Sequence, residues 1–251
     1  MTTPTADTAG RGPALLGQTV VVIGGSSGIE LETARRARAE GAELVLAGLD
    51  RGPLEDAAAE LGAKQTAAFD ATDPEALRRF FADLPVPIGH VMVTGPGPYY
   101  APLADLDRER AHRDFDNHQW LAIEVARNSV GRVRASGTLL FMAGLAGRPG
   151  PGLLLEAATA AALPALIANL ALEIAPIRVN LIAAGFIDSP LSARLLGGDL
   201  EARRAQLRAT LPIGRVVGPA DVAALAVHIM TNTALTGATY DIDGGEQLVP
   251  A

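Results

Sequence analysis

The chain has 251 residues, a formal net charge of -7 and no cysteine. That length fits one α/β domain with a core on both faces of a sheet. The charge leaves no basic stripe to neutralise nucleic-acid phosphates or an anionic membrane, and the lack of cysteine excludes disulfides, thiolate metal ligands and a cysteine nucleophile. A single lysine, Lys64, stands against 20 arginines, so no other lysine amine is available for chemistry.

Residues 1–15 are rich in Thr, Ala, Gly and Pro, lack the pattern of a signal peptide, and are expected to be a flexible tail ahead of one domain over 16–251. Beyond them, apolar runs of strand length alternate with Ala/Leu/Arg stretches of helical period. A strand over 19–23 precedes a helix over 29–40; strands over 43–47 and 65–69 precede helices over 53–61 and 74–83. A strand over 90–94 leads into a long helix over 107–134, and one over 138–142 into a helix over 154–174. After a strand over 178–182 come helices over 190–210 and 219–231, then a last strand over 238–242. This alternation is the mark of repeated βαβ units in a parallel, doubly wound sheet. No apolar stretch is expected to reach the roughly 18 residues of a membrane span. A cytoplasmic protein is expected, whose partners are small molecules or other proteins.

Sheets of this kind bind ligands beyond the carboxyl ends of their strands. There the segment VVVIGGSSGIELETARRARAEGA sets Gly24, Gly25 and Gly28 between the first strand and first helix. Glycines at that place let the backbone turn tightly and bring its N–H groups and the helix N-terminus up to a pyrophosphate. No spacing of His, Asp or Glu suggests a metal site.

The motifs GGSSGIE at 24–30, FDATD at 69–73, VTGPG at 93–97, Asn117, RVNLIAAGFIDSP at 178–190 and TGATYDIDGG at 236–245 follow one another along the chain. In order and spacing they resemble the short-chain dehydrogenase/reductase family, over nearly everything from Gly17 to Gly245. The resemblance implies a Rossmann-like sheet of seven parallel strands and an oxidoreductase that uses NAD or NADP on a small-molecule substrate. It puts Gly24, Ser26, Ser27, Gly28 and Ile29 beneath the dinucleotide, Asp70 and Ala71 beside the adenine, and Thr94 and Gly95 along the adenine ribose. Ile187 and Ser189 would meet the carboxamide and pyrophosphate. For each of these, turn or cap chemistry without a ligand is the alternative. The resemblance also implies a homodimer or homotetramer built on the helices over 107–134 and 154–174.

The chain departs from the family pattern at several places. The third glycine of the signature is Glu30, whose charge suits the positive end of a helix but opposes an anionic ligand there. A carboxylate about 5 Å from a pyrophosphate, at an effective dielectric of ~20, would cost roughly 3 kcal/mol, on the order of a hundredfold in affinity. The second strand ends at Gly48 and Leu49, which offer no charge to choose between NAD and NADP. Where the family has a catalytic tyrosine and, four residues on, a lysine, this chain has Glu156 and Ala160. Counting places the family's serine at Ala143 or Gly144, and neither has a hydroxyl. Pro164 interrupts the hydrogen-bond ladder of the same helix. Only Asn117 of the usual four remains.

Glu156 is the candidate acid/base, since desolvation among leucines would raise its pKa; capping the helix start is the alternative. Tyr99 and Tyr100, after the fourth strand, could supply a phenol or line the pocket. His118 reads as a structural helical histidine. Three functions follow: an oxidoreductase with reduced or absent reductase activity and weak or absent cofactor binding, a non-redox isomerase, lyase or cyclase using Glu156, or a catalytically silent binder of a metabolite or partner.

Overall fold

The computed structural model describes residues 12–145 and 150–249. Most of the expected tail therefore lies outside the described residues, as do residues 146–149 after the fifth strand. The strands are β1 (Thr19–Ile23), β2 (Glu43–Gly48), β3 (Gln65–Ala68), β4 (Ile88–Val93), β5 (Val133–Gly144), β6 (Arg178–Ala184) and β7 (Thr239–Ile242). All pair in parallel in the order β3-β2-β1-β4-β5-β6-β7, the expected seven-stranded Rossmann-like sheet. Helices α1 (Gly28–Ala39), α2 (Arg51–Leu61) and α8 (Pro219–Thr231) cover one face; α3 (Pro74–Asp83), α4 (Arg108–Ser129) and α5 (Leu154–Glu173) cover the other. Two further helices, α6 (Pro190–Leu196) and α7 (Leu200–Thr210), follow β6.

The inner strands β1, β2, β4 and β6 read largely as apolar runs because both faces are buried, whereas the edge strands β3 and β7 alternate between exposed and partly buried positions. Val21 and Ile23 of β1, Val45 of β2, and Leu139 and Phe141 of β5 enter the core under α3–α5, while Val20, Val22, Leu44, Leu46 and Leu140 enter the core under α1, α2 and α8. The strand order reverses between β1 and β4, so the chain leaves these two strands in opposite directions and opens a crevice at their carboxyl ends.

Three expectations are revised by the structure. The helix expected over 107–134 ends at Ser129, because Val130 turns to an extended backbone and Gly131 takes φ +75°; Val133 then pairs with Ile88 as the start of β5. The helix expected over 190–210 is divided at Gly197, whose φ of +51° breaks the helical path. The third correction concerns α5. It spans 20 residues and is apolar enough by length and composition to cross a bilayer, contrary to the expectation that no stretch reaches that length. It stays one continuous helix through Pro164 and buries Thr159, Ala160, Leu163 and Ile167 toward the sheet.

Candidate active site at the carboxyl ends of the strands

The glycine loop turns as its sequence demands. Gly24 takes φ +100° and Gly28 φ +63°, and the N–H groups of Gly24 and Gly25 both donate to the Ala47 carbonyl at the end of β2, at 2.8 and 3.0 Å. Ser27 stands at the N-cap of α1 with no side-chain cap bond. The Ser26 hydroxyl lies beside the end of β2, 3.7 Å from where a Cβ on Gly48 would be. Ile29 packs into the core under α1.

Glu30 does not turn to solvent. Its side chain is only 9% exposed and folds back into the bend of the loop. A Cβ on Gly24 would lie 3.2 Å from Glu30 Cγ, and one on Gly28 would lie 3.6 Å from Glu30 Oε2. Across the strand-reversal point, the Thr94 hydroxyl donates to Glu30 Oε1. Burial pushes the Glu30 carboxyl above its ordinary pKa, opposed by the bond from Thr94. The expected repulsion is that of an ionised group; in the folded chain the side chain also fills volume inside the bend.

The remaining segments expected to hold a dinucleotide have turn and cap chemistry of their own. Asp70 accepts from the N–H and hydroxyl of Thr72, at 2.9 and 2.7 Å. Ala71 packs against the core and, with Thr72 and Pro74, lines a small cavity closed by Asn117, Trp120, Leu121 and Glu124 of α4. Ile187 is buried and bridges to Val217. Ser189 caps α6 in a reciprocal arrangement with Ser192. Leu49, at the end of β2, is 70% exposed.

A second group gathers over β4 and β5. Glu156, in the first turn of α5, reaches back to the end of β5, where a Cβ on Gly144 would lie 2.5 Å from its Oε1. Burial raises its pKa, His118 draws it down and Asp114 pushes it up. His118 packs on Gly95: a Cβ there would lie 3.1 Å from its Cδ2 and 3.5 Å from its Nε2. The His118 Nδ1 is 2.8 Å from the Asp114 carbonyl oxygen. The Asp114 side chain is 10% exposed, and its Oδ2 has no hydrogen-bond partner. Tyr100 stands nearby, its phenol pKa raised by burial and by the Glu156 charge.

Of the residues expected to carry chemistry, the structure brings Glu156 and Tyr100 together and leaves two apart. Asn117 faces the small cavity beside the loop after β3. Tyr99 is buried, accepts at its hydroxyl from the Asp107 N–H at 3.1 Å, and lies under the Arg110 guanidinium. His118 and Asp114 were missed. Their signal is present in the sequence: Asp114, His118, Leu121, Ala122, Val125 and Ser129 recur at helical spacing and continue the stripe by which α4 meets the sheet. Among the described residues no cluster of three metal-ligating side chains occurs.

Fold and crevice together define a doubly wound α/β protein of the dinucleotide-fold class. The family model described as enoyl-(acyl carrier protein) reductase matches residues 23–247. The chain is 28% identical over 253 residues to the short-chain dehydrogenase/reductase ATR9 of Stachybotrys chlorohalonatus, covering 93% of this chain and 98% of that protein. Among solved structures, the MalC reductase/Diels-Alderase of Malbranchea aurantiaca superposes with a TM-score of 0.86 at 25% identity, covering 94% of this chain and 98% of that one. A small-chain dehydrogenase solved in complex with NADPH superposes with a TM-score of 0.79 at 26% identity, covering 92% and 99%. This chain belongs to the short-chain dehydrogenase/reductase family.

Proposed function

We propose that this family member has given up nicotinamide-dependent reduction and uses its crevice for acid/base chemistry on a small molecule, with Glu156 as the proton-handling group. The observation that carries the reading is Glu30, folded into the bend formed by Gly24, Gly28 and Thr94. As folded, these residues do not fit a dinucleotide: its pyrophosphate needs the space and the N–H groups of that bend, and a glutamate side chain is there instead. At the other end of the crevice, Ala160 is buried one turn after Glu156 and brings no amine that would lower the pKa of a proton donor.

The NADPH complex of one relative supports an ancestral cofactor site in this fold. The name of another, a reductase/Diels-Alderase, supports a crevice able to host non-redox chemistry as well. Six of the eight exposed positions of α5, namely Leu154, Ala158, Ala161, Ala165, Ala168 and Leu172, repeat at four- and three-residue intervals and are apolar, with Asn169 and Glu173 the polar ones. Such a seam supports a homo-oligomer formed helix to helix. The composition supports a cytoplasmic setting.

The test is a titration of wild type and Glu30→Gly with NADH and NADPH, read by nicotinamide fluorescence. Wild type is expected to show no saturation in the micromolar range, and the variant to gain about a hundredfold or more in affinity. Micromolar binding by wild type, with no gain in Glu30→Gly, overturns the reading.

A further inference from the structure

The stripe that α4 lays on the sheet is apolar from Leu121 to Val125 and changes character toward the crevice, where it ends in His118 and Asp114. The side chains of these two are 11% and 10% exposed, so they are built into the floor of the site rather than solvated on a helix face. Position follows from the strands beneath. Val93, the last residue of β4, is opposite Phe141 of β5; Gly95 lies two residues past the end of β4 and Gly144 is the last residue of β5, on neighbouring strands that parallel pairing sets about 4.8 Å apart. The imidazole rests on Gly95 and the Glu156 carboxyl on Gly144. Both positions are glycine: a Cβ on Gly144 would collide with the Glu156 carboxyl, and one on Gly95 would press on the imidazole.

The hydrogen bond of His118 fixes its tautomer. A main-chain carbonyl only accepts, so Nδ1, 2.8 Å from the Asp114 carbonyl, carries the hydrogen, and in the neutral ring Nε2 keeps its lone pair. Nε2 is also the ring nitrogen beside Gly95. The Asp114 Oδ2, 3.9 Å from Nδ1, is too far for a hydrogen bond, so the main-chain carbonyl is the group that holds the ring.

We propose that His118 and Glu156 are a base and an acid facing each other across one substrate site, with Asp114 as the positioning residue, and that the site takes a small ketone or aldehyde bearing an acidic neighbouring C–H. The inference rests on the non-redox reading above and names its reaction. His118 Nε2 takes the proton from the α-carbon, and the C–H electron pair becomes the carbon–carbon double bond of an enol. The carbonyl π pair meanwhile takes the proton of Glu156. Return of the imidazolium proton to the same carbon completes a hydrogen exchange or an epimerisation, and its delivery to the vinylogous position completes a double-bond shift; in both, the enol proton goes back to the carboxylate. Both groups regain their starting protons, and no oxidant or reductant is consumed. The groups facing Glu156 are His118 and Asp114 from α4 and Tyr100 from the loop after β4; Arg110 faces Asp114. Burial raises the Glu156 pKa, which favours the protonated, donating form.

Two probes read the activity: conversion of cyclohex-3-enone to its conjugated isomer by absorbance, and exchange of the α-hydrogens of cyclohexanone in deuterium oxide by proton NMR. Wild type is expected to catalyse at least one of them, and His118→Gln and Glu156→Gln are each expected to slow it about 10²-fold or more. Asp114→Asn is expected to lower kcat with little change in KM, since a residue that only positions the base touches no substrate; a purely structural Asp114 would leave kcat in place in the folded variant. A nitrogen-15 spectrum of wild type is expected to show His118 with hydrogen on Nδ1, a readout that survives a variant that fails to fold. No turnover of either ketone above the buffer rate, or hydrogen on Nε2, overturns the inference. Loss of rate in Glu156→Gln but not in His118→Gln removes His118 alone and leaves the reading of Glu156 in place. Brisk reduction of a ketone by wild type with NADPH defeats the underlying reading instead.

Discussion

Glu30 is a carboxyl whose environment works against its charge. Burial raises its folded-state pKa above the value of about 4.3 it has in an unfolded chain, so the native state holds a proton more tightly than the unfolded state does. Its contribution to stability is therefore full below about pH 4.3 and is lost as pH rises through the folded-state pKa. Glu30→Gln keeps the shape without the ionisation, and its thermal midpoint is expected to match wild type near pH 4 and to exceed it near pH 8. Equal midpoints at both ends of that range would show that the carboxyl is hydrated in the folded chain. The identity of Glu30 was plain in the sequence, as was the expectation that its charge opposes an anionic ligand. Its direction was not, because nothing local tells a first-turn glutamate whether to face water or the Thr94 hydroxyl. Tyr99 and Tyr100 make the same point: neighbours in sequence, one buried under Arg110 and one beside Glu156.

Elements were more legible than residues, since burial on both faces gives most of the inner strands a largely apolar run. Where the reading ran long, at 130–134, an arginine-bearing stretch of helical composition was taken over by pairing between Val133 and Ile88. The polar chemistry that joins elements was illegible. Arg178, at the start of β6, is 4% exposed and donates to four backbone carbonyls: Ser136 at 3.0 Å, Ile229 at 2.9 Å, Met230 at 2.8 Å and Leu235 at 2.8 Å. Two of these belong to the last turn of α8, whose carbonyls have no partner within the helix. One guanidinium thus fastens α8 to the sheet. Arg178→Met keeps the length and strips the donors, leaving those carbonyls buried and unpaired. It is expected to cost about 3–5 kcal/mol, a fall in thermal midpoint of roughly 10 °C for a chain of this size. A change of only a degree or two would mean that water replaces the guanidinium. The α4 stripe belongs to the same scale: Asn117 lines the small cavity, while His118, one position on, lies on the stripe and packs on Gly95.

At the scale of the molecule, the doubly wound order and its crevice followed from the alternation of strands and helices, while the outer surface of α5 did not. A helix this apolar, with only 22% of its most apolar stretch buried, has more oily surface than the sheet can cover. If the exposed seam from Leu154 to Leu172 is an interface, a charge at its centre must break it. Ala165→Glu is expected to convert the assembly to monomers in sedimentation velocity, and a wild type that already sediments as a monomer would refute the interface. The one tryptophan of the chain, Trp120, lies on α4 two positions past His118, half exposed at the rim of the small cavity lined by Asn117. Its indole emission is therefore a built-in optical gauge of that helix: any molecule that settles over the imidazole and stiffens α4 would announce itself in quantum yield, without a dye or a label.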